Sequence, residues 1–303
     1  MSYSGKSMIW IKALRMPFLT VTVVPVILGA VVACRETGHM NWFNFLLTLL
    51  GGCFIHLGLN LCNDYYDHVS GNDEANRHPT PFSGGSRVIQ DRLLPARAVL
   101  FASLMFFILG AMIGLYLNHV LPGNVILWIG VLGVCVAVFY TAPPLSLGYR
   151  GFGEIFVALG FGPLLVCGSY YVQKQSLSIH PVWASIPVGI LAALVLYINE
   201  FPDYSADSAV NKNTIVVKMG RENAAALFSV ILLANYLITV SCALMGWIPF
   251  SALAVVVTLP LAVTVIITLN KNCYMIQELL PANAGVIKLH LISGLLLIGS
   301  YLI

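Results

Sequence analysis

The chain of 303 residues is 59% hydrophobic and only 9% charged, with a mean hydropathy of +0.89. That composition excludes an ordinary soluble domain. The net charge of +3 is no pointer to nucleic acid, because topology alone concentrates Lys and Arg on one side of a membrane protein.

From the N-terminus, residues 9–16 mix apolar and basic side chains and predict a helix on the membrane surface. Apolar runs long enough for a hydrocarbon core of about 30 Å follow at 17–34, 42–62, 97–118, 124–141, 154–173, 182–201, 223–246, 250–269 and 287–303. They predict an all-α polytopic membrane protein, a bundle of about nine transmembrane helices forming one domain over residues 1–303. With the N-terminus cytoplasmic, all 15 Lys and Arg except Arg35 and Lys174 fall in inner segments. All 12 acids except Glu36 fall there too. Acids contribute little to topology, so a charged active site at the cytoplasmic side is their simplest cause. The 7 cysteines show no C-x-x-C spacing and predict neither disulfide nor zinc site.

Two polar islands end the second and sixth runs with nearly the same pattern: Asn60-x3-Asp64-x2-Asp67 and Asn199-x3-Asp203-x3-Asp207. Residues so spaced share one helical face. The two islands lie 139 residues apart, which hints at a duplicated half. Long polar segments follow each, giving motif loops at about 63–95 and 202–221. The first contains Ser83-Gly84-Gly85-Ser86, whose amides are suited to an anion. In the second, Pro202 predicts that the helix kinks or ends.

Acids in a membrane segment are costly and mark functional sites by default. Two carboxylate stripes facing each other suit magnesium, which takes oxygen ligands from one or two carboxylates and substrate phosphates. Two Mg2+, four aspartates and a diphosphate leave net negative charge, so Arg77, Arg87, Arg150, Lys212 and Lys218 are candidates to complete the balance. If the leaving group departs from an allylic carbon, the cation left behind is stabilised by aromatic faces. Tyr140, at the inner end of the fourth run, is one candidate.

The chain resembles the UbiA superfamily of intramembrane prenyltransferases in its two aspartate motifs. Asn63-Asp64-Tyr65-Tyr66-Asp67-x3-Gly71-x-Asp73, Ser83-Gly84-Gly85-Ser86-Arg87, Tyr140-Thr141, Tyr149-Arg150-Gly151-x-Gly153-Glu154 and Asp203-x3-Asp207-x3-Asn211-Lys212-x-Thr214 are most similar to its 1,4-dihydroxy-2-naphthoate polyprenyltransferase branch. The resemblance implies that Asp64 and Asp67 hold one magnesium and Asp203 and Asp207 a second. Asn60 and Asn199 would help position metal or substrate, Asp73 would position the acceptor or take its proton, and Arg77, Arg150 and Lys212 would contact diphosphate. The implied partners are a polyprenyl diphosphate, an aromatic acceptor and the bilayer, with no nucleic acid. The implied reaction is polyprenyl transfer with loss of carbon dioxide and diphosphate, in menaquinone biosynthesis, in a bacterial or archaeal cell membrane. Two alternatives stand beside it: the same chemistry on 4-hydroxybenzoate or homogentisate, and an ion-coupled transporter.

Overall fold

The computed structural model describes residues 3–303, with side chains from Ser7 onward, so the side chain of Lys6, one of the inner charges, lies outside it. Every regular element among these residues is a helix: α1 Tyr3–Leu14, α2 Thr20–Thr37, α3 Trp42–Val69, α4 Asn72–Ala75, α5 Ala96–Val120, α6 Val125–Phe139, α7 Gly153–Leu159, α8 Leu165–Lys174, α9 His180–Ala209, α10 Ile215–Met219, α11 Arg221–Leu244, α12 Leu259–Asn272 and α13 Ile276–Ser300. Local chemistry places several ends. Pro17 opens a 3-10 turn, Met16–Leu19, that leads into α2, and Gly38, in the left-handed region at φ 75°, closes it. The Asn41 side chain accepts from Asn44 N and caps α3.

Eight helices of 22 to 30 residues are long and apolar enough to cross a membrane, and the chain is a polytopic integral membrane protein. The expected fourth span differs: α6 has 15 residues, about 22 Å at a 1.5 Å rise, short of a core of about 30 Å. The last span also differs, since α13 begins at Ile276 rather than near 287. Glu278 and Asn283 interrupt the apolar run without interrupting the helix.

Pro202 does not end α9, which runs on to Ala209. Proline removes the hydrogen bond to the carbonyl four residues back, here that of Ile198. Asn283 of α13 replaces it, its Nδ2 donating to Ile198 O at 3.2 Å. Both acidic stripes are thereby carried on intact helix: Asp64 and Asp67 on α3, and Asp203 and Asp207 on α9.

The core gathers on α2, α8, α9, α11 and α13, where Leu28, Val166, Leu191, Ile198, Phe228 and Leu289 are almost wholly buried. Lipid is as apolar as these side chains, so close fit rather than water exclusion holds such helices together. Glycine permits the closest crossings. A Cβ on Gly162 would meet Gly189 Cα at 2.9 Å, and Gly162 lies in the π-helical turn Gly160–Leu164 that joins α7 to α8.

Candidate active site

The end of α3 presents its carboxylates to loops that return over it. Asp64 is 2% exposed; its Oδ1 accepts from Ser86 N at 3.2 Å. Asp67 Oδ1 accepts from the Tyr149 hydroxyl at 2.5 Å, and Oδ2 accepts from Asn63 Nδ2 at 3.0 Å and Lys212 Nζ at 3.4 Å. The glycine turn expected to face an anion turns its amides on the aspartates themselves, since Gly84 N donates to Asp203 Oδ2 at 3.1 Å. Gly84 sits at φ +76°, and a Cβ there would meet Asn76 Nδ2 at 2.6 Å, so glycine is required on both counts.

The second stripe meets the first through α4 and Lys212. Asn72 Nδ2 donates to Asp207 Oδ1 at 2.8 Å, and Asn76 Nδ2 to Asp203 Oδ1 at 2.7 Å. Lys212 Nζ bridges the stripes, 3.4 Å from Asp67 Oδ2 and 3.6 Å from Asp207 Oδ1. Burial opposes its charge, yet Asp207 and Asp67 hold its pKa well above the ordinary lysine value. It is therefore a fixed cation between one carboxylate of each stripe, Asp67 and Asp207. Lys212→Ala is expected to weaken binding of an allylic diphosphate more than binding of an aromatic acceptor. Separate KM values for the two substrates check this, and equal rises would refute it.

Asp73 is 1% exposed, and its backbone carbonyl accepts from the Arg87 guanidinium. Burial, followed by the charges of Asp67 and Asp64, raises its carboxyl to about 8. An acid whose folded pKa lies above its unfolded 3.8 binds more protons when folded, so stability falls as pH rises from about 4 to 8. Metal-free protein is expected to lose thermal stability between pH 5 and pH 8 relative to Asp73→Asn, whose amide has no proton to lose. Parallel melting curves across that range would refute it.

Several sequence candidates point elsewhere. Asn60 Nδ2 donates to Leu14 O at 3.1 Å, tying α1 to α3. Asn199 Oδ1 accepts from Asn283 Nδ2 at 2.8 Å, away from the stripe. Arg150 Nη2 donates to Pro144 O at 3.0 Å, while Arg77 is exposed. Arg87 braces the loop through Asp73. Sequence reasoning missed Asn72, Asn76 and the carboxylate-bound hydroxyl of Tyr149. The only sequence signal for the two asparagines is their spacing of four, which matches that of Asp203 and Asp207.

A cavity of about 440 Å3 lies beside this cluster, lined almost entirely by apolar groups of α3, α5, α6 and α8. Tyr140, Phe156 and Phe161 are among its walls, and Leu117, Ile126 and Val172 line it towards the opposite face. Tyr140 thus belongs to both parts of the site: it lines the cavity, and its phenol feels the charges of Lys212, Glu200, Glu154 and Asp67. Burial raises its pKa well above 10, so the phenol is neutral.

The donor set fits a hard cation. Asp64 Oδ2 and Asp73 Oδ1 are sealed from solvent without a hydrogen-bond partner, and buried carboxylate oxygens left without donors suit oxygen-seeking Mg2+. Among the described residues no three His, Cys, Asp or Glu side chains already converge as a metal cage. Magnesium requires none, because it keeps several waters and completes its shell with phosphate.

Residues 22–274 match the UbiA prenyltransferase family. The chain belongs to that family. This UbiA prenyltransferase is 29% identical over 295 residues to a 2-carboxy-1,4-naphthoquinone phytyltransferase of Synechocystis sp., covering 97% of this chain and 92% of the relative. It is 30% identical to a 1,4-dihydroxy-2-naphthoate octaprenyltransferase of Escherichia coli, over 76% of this chain and 75% of that one. The structure of a UbiA homolog from Archaeoglobus fulgidus bound to GPP and Mg2+ superposes with a TM-score of 0.64 at 16% identity, covering 96% of this chain and 99% of that one. At that identity the structural likeness is one of fold. Family membership sets aside the transporter reading.

Proposed function

We propose that this UbiA prenyltransferase transfers a polyprenyl group from an allylic diphosphate to 1,4-dihydroxy-2-naphthoate, with loss of carbon dioxide and diphosphate, in menaquinone biosynthesis. One observation carries the donor half: two acidic stripes are braced together beside an apolar cavity, so a charged head and a hydrophobic tail have adjoining receptacles. The acceptor half is supported by relatives named for naphthoate and naphthoquinone substrates.

In this reading Asp64, Asp67, Asp203 and Asp207 hold two Mg2+, with Asp73 beside them. Magnesium, when bound, neutralises charge on the departing diphosphate as a Lewis acid. Lys212 adds a fixed positive charge, and Arg77 and Arg150 stand at the exposed rim for the outer phosphate oxygens. Tyr140, neutral and at the cavity wall, offers its ring to the allylic cation. The apolar walls exclude water, which would otherwise capture that cation before the acceptor ring does. The bias of Lys and Arg supports a cytoplasmic position for this face.

The test is competition on purified protein in detergent, with Mg2+, an allylic diphosphate and equal 1,4-dihydroxy-2-naphthoate and 4-hydroxybenzoate, products being read by mass. A Mg2+-dependent prenylated naphthoquinol lacking the carboxylate is expected. Prenylated hydroxybenzoate alone would overturn the acceptor assignment, and no product with either would overturn it too and turn the search to other acceptors such as homogentisate.

A further inference from the structure

We propose that Asn72 and Asn76 are positioning residues: together they clasp the second acidic pair to the loop of the first motif, so that both halves of the metal–diphosphate site are ordered as one unit. This rests on the reading of the aspartates given above.

The geometry is a two-point match. Asn72 and Asn76 lie four residues apart, on α4 and at its C-terminal boundary, and Asp203 and Asp207 lie four apart on α9. The pairs meet in antiparallel order, Asn72 on Asp207 at 2.8 Å and Asn76 on Asp203 at 2.7 Å. Asn72 and Asn76 are 4% and 6% exposed. The orientation of Asn76 is fixed independently, because its Oδ1 accepts from His78 N at 3.0 Å. Only the NH2 is then left to face Asp203. Gly84 N closes on the other oxygen of Asp203, and the loop is tied down further along where Arg87 holds the Asp73 carbonyl.

The residue type matters as much as the distance. Asp203, Asp207 and Asp67 are like charges gathered around one Lys212, and without donors their side chains would splay apart. Lysine or arginine at 72 and 76 would hold them too, but would cancel the charge that attracts Mg2+. An amide donates a hydrogen bond and brings no charge. The clasped oxygen of Asp203 also has a second lone pair left for metal, and in Asp207, whose Oδ1 also faces Lys212, Oδ2 is left for it. The orientation of the second pair is thus set before ligand arrives, by side chains that belong to the first motif's loop. Ligand held at either motif then steadies the other through the same clasp, since the two move as one unit.

Binding of Mg2+ with inorganic pyrophosphate, followed by calorimetry on the full chain in detergent, tests this alongside protease protection of residues 70–95. Asn72→Leu and Asn76→Leu keep the branched side-chain shape and remove the donors; Asn72→Ser and Asn76→Ser, smaller and too short to reach, are run beside them in case the bulkier Leu is not accommodated. Affinity is expected to fall by about 10–100-fold, the usual effect of losing a group that orients a metal ligand, and protection of the loop by ligand is expected to disappear. Wild-type affinity in the folded variants would overturn the clasp. Weakened binding with loop protection intact would overturn the coupling. If the wild-type chain itself binds no Mg2+–pyrophosphate, the aspartate reading falls instead.

Discussion

Asp64→Asn is expected to abolish most prenyl transfer while leaving the helices as stable as before or more so. The carboxyl is 2% exposed, with one oxygen on Ser86 N and the other without a partner. Among the described residues it has no ion pair. A buried charge so placed is costly to the metal-free fold, and an amide of the same shape removes that cost. The same exchange removes a negative charge aimed at the metal–diphosphate unit, where charge stabilisation does most of the chemistry. The fall in kcat/KM is expected to be at least about 10^2–10^3-fold, the range seen when one such interaction is lost. Thermal melts of metal-free protein and product formation under saturating Mg2+ check both halves. A variant that keeps substantial activity with full metal dependence would remove Asp64 from the site, and one that fails to fold would mean that its role is structural.

Gly29→Val is expected to cost about 3 kcal/mol or more, the upper end of the overpacking range. A Cβ at this position would overlap the Val166 carbonyl oxygen and stand 2.9 Å from Ser169 Cβ. The two helices are also pinned there by Ser169 Oγ, which donates to Val26 O at 2.6 Å. Backbone cannot rotate away as a side chain can, so α2 and α8 must part. Gly114→Ala is the control. Its Cβ would meet nothing within 4 Å, and the effect is expected to stay within about 0.5 kcal/mol of wild type. Comparable losses in both variants, measured by thermal unfolding in detergent, would show that glycine content rather than the crossing sets stability.

The aspartate stripes were legible because helical spacing converts i, i+4 and i+7 into one face, whatever that face meets. Lys212 was legible as a charge on the right side, but its place between Asp67 and Asp207 required two distant loops to close. The other basic candidates show the limit. Arg77, Arg87 and Arg150 share composition and side with Lys212, yet only tertiary contacts separate an exposed rim residue, a brace on Asp73 and a bond to Pro144 from a bridge between carboxylates.

Asn60 and Asn199 occupy matching positions in the two motifs and have unrelated partners, Leu14 and Asn283. Pro202 makes the same point from the backbone. Its missing N–H is a property of the residue, whereas continuation of α9 depends on Asn283, 81 residues away in sequence, reaching the freed carbonyl of Ile198. Sequence by itself determined the membrane class, the helical periodicity and the acidic stripes, because hydropathy, rise per residue and side-chain charge are local. Which stripe residues face each other, which asparagines hold them and where the apolar cavity opens beside them were decided by the tertiary structure. Those relations depend on distances between segments that the chain joins only through folding.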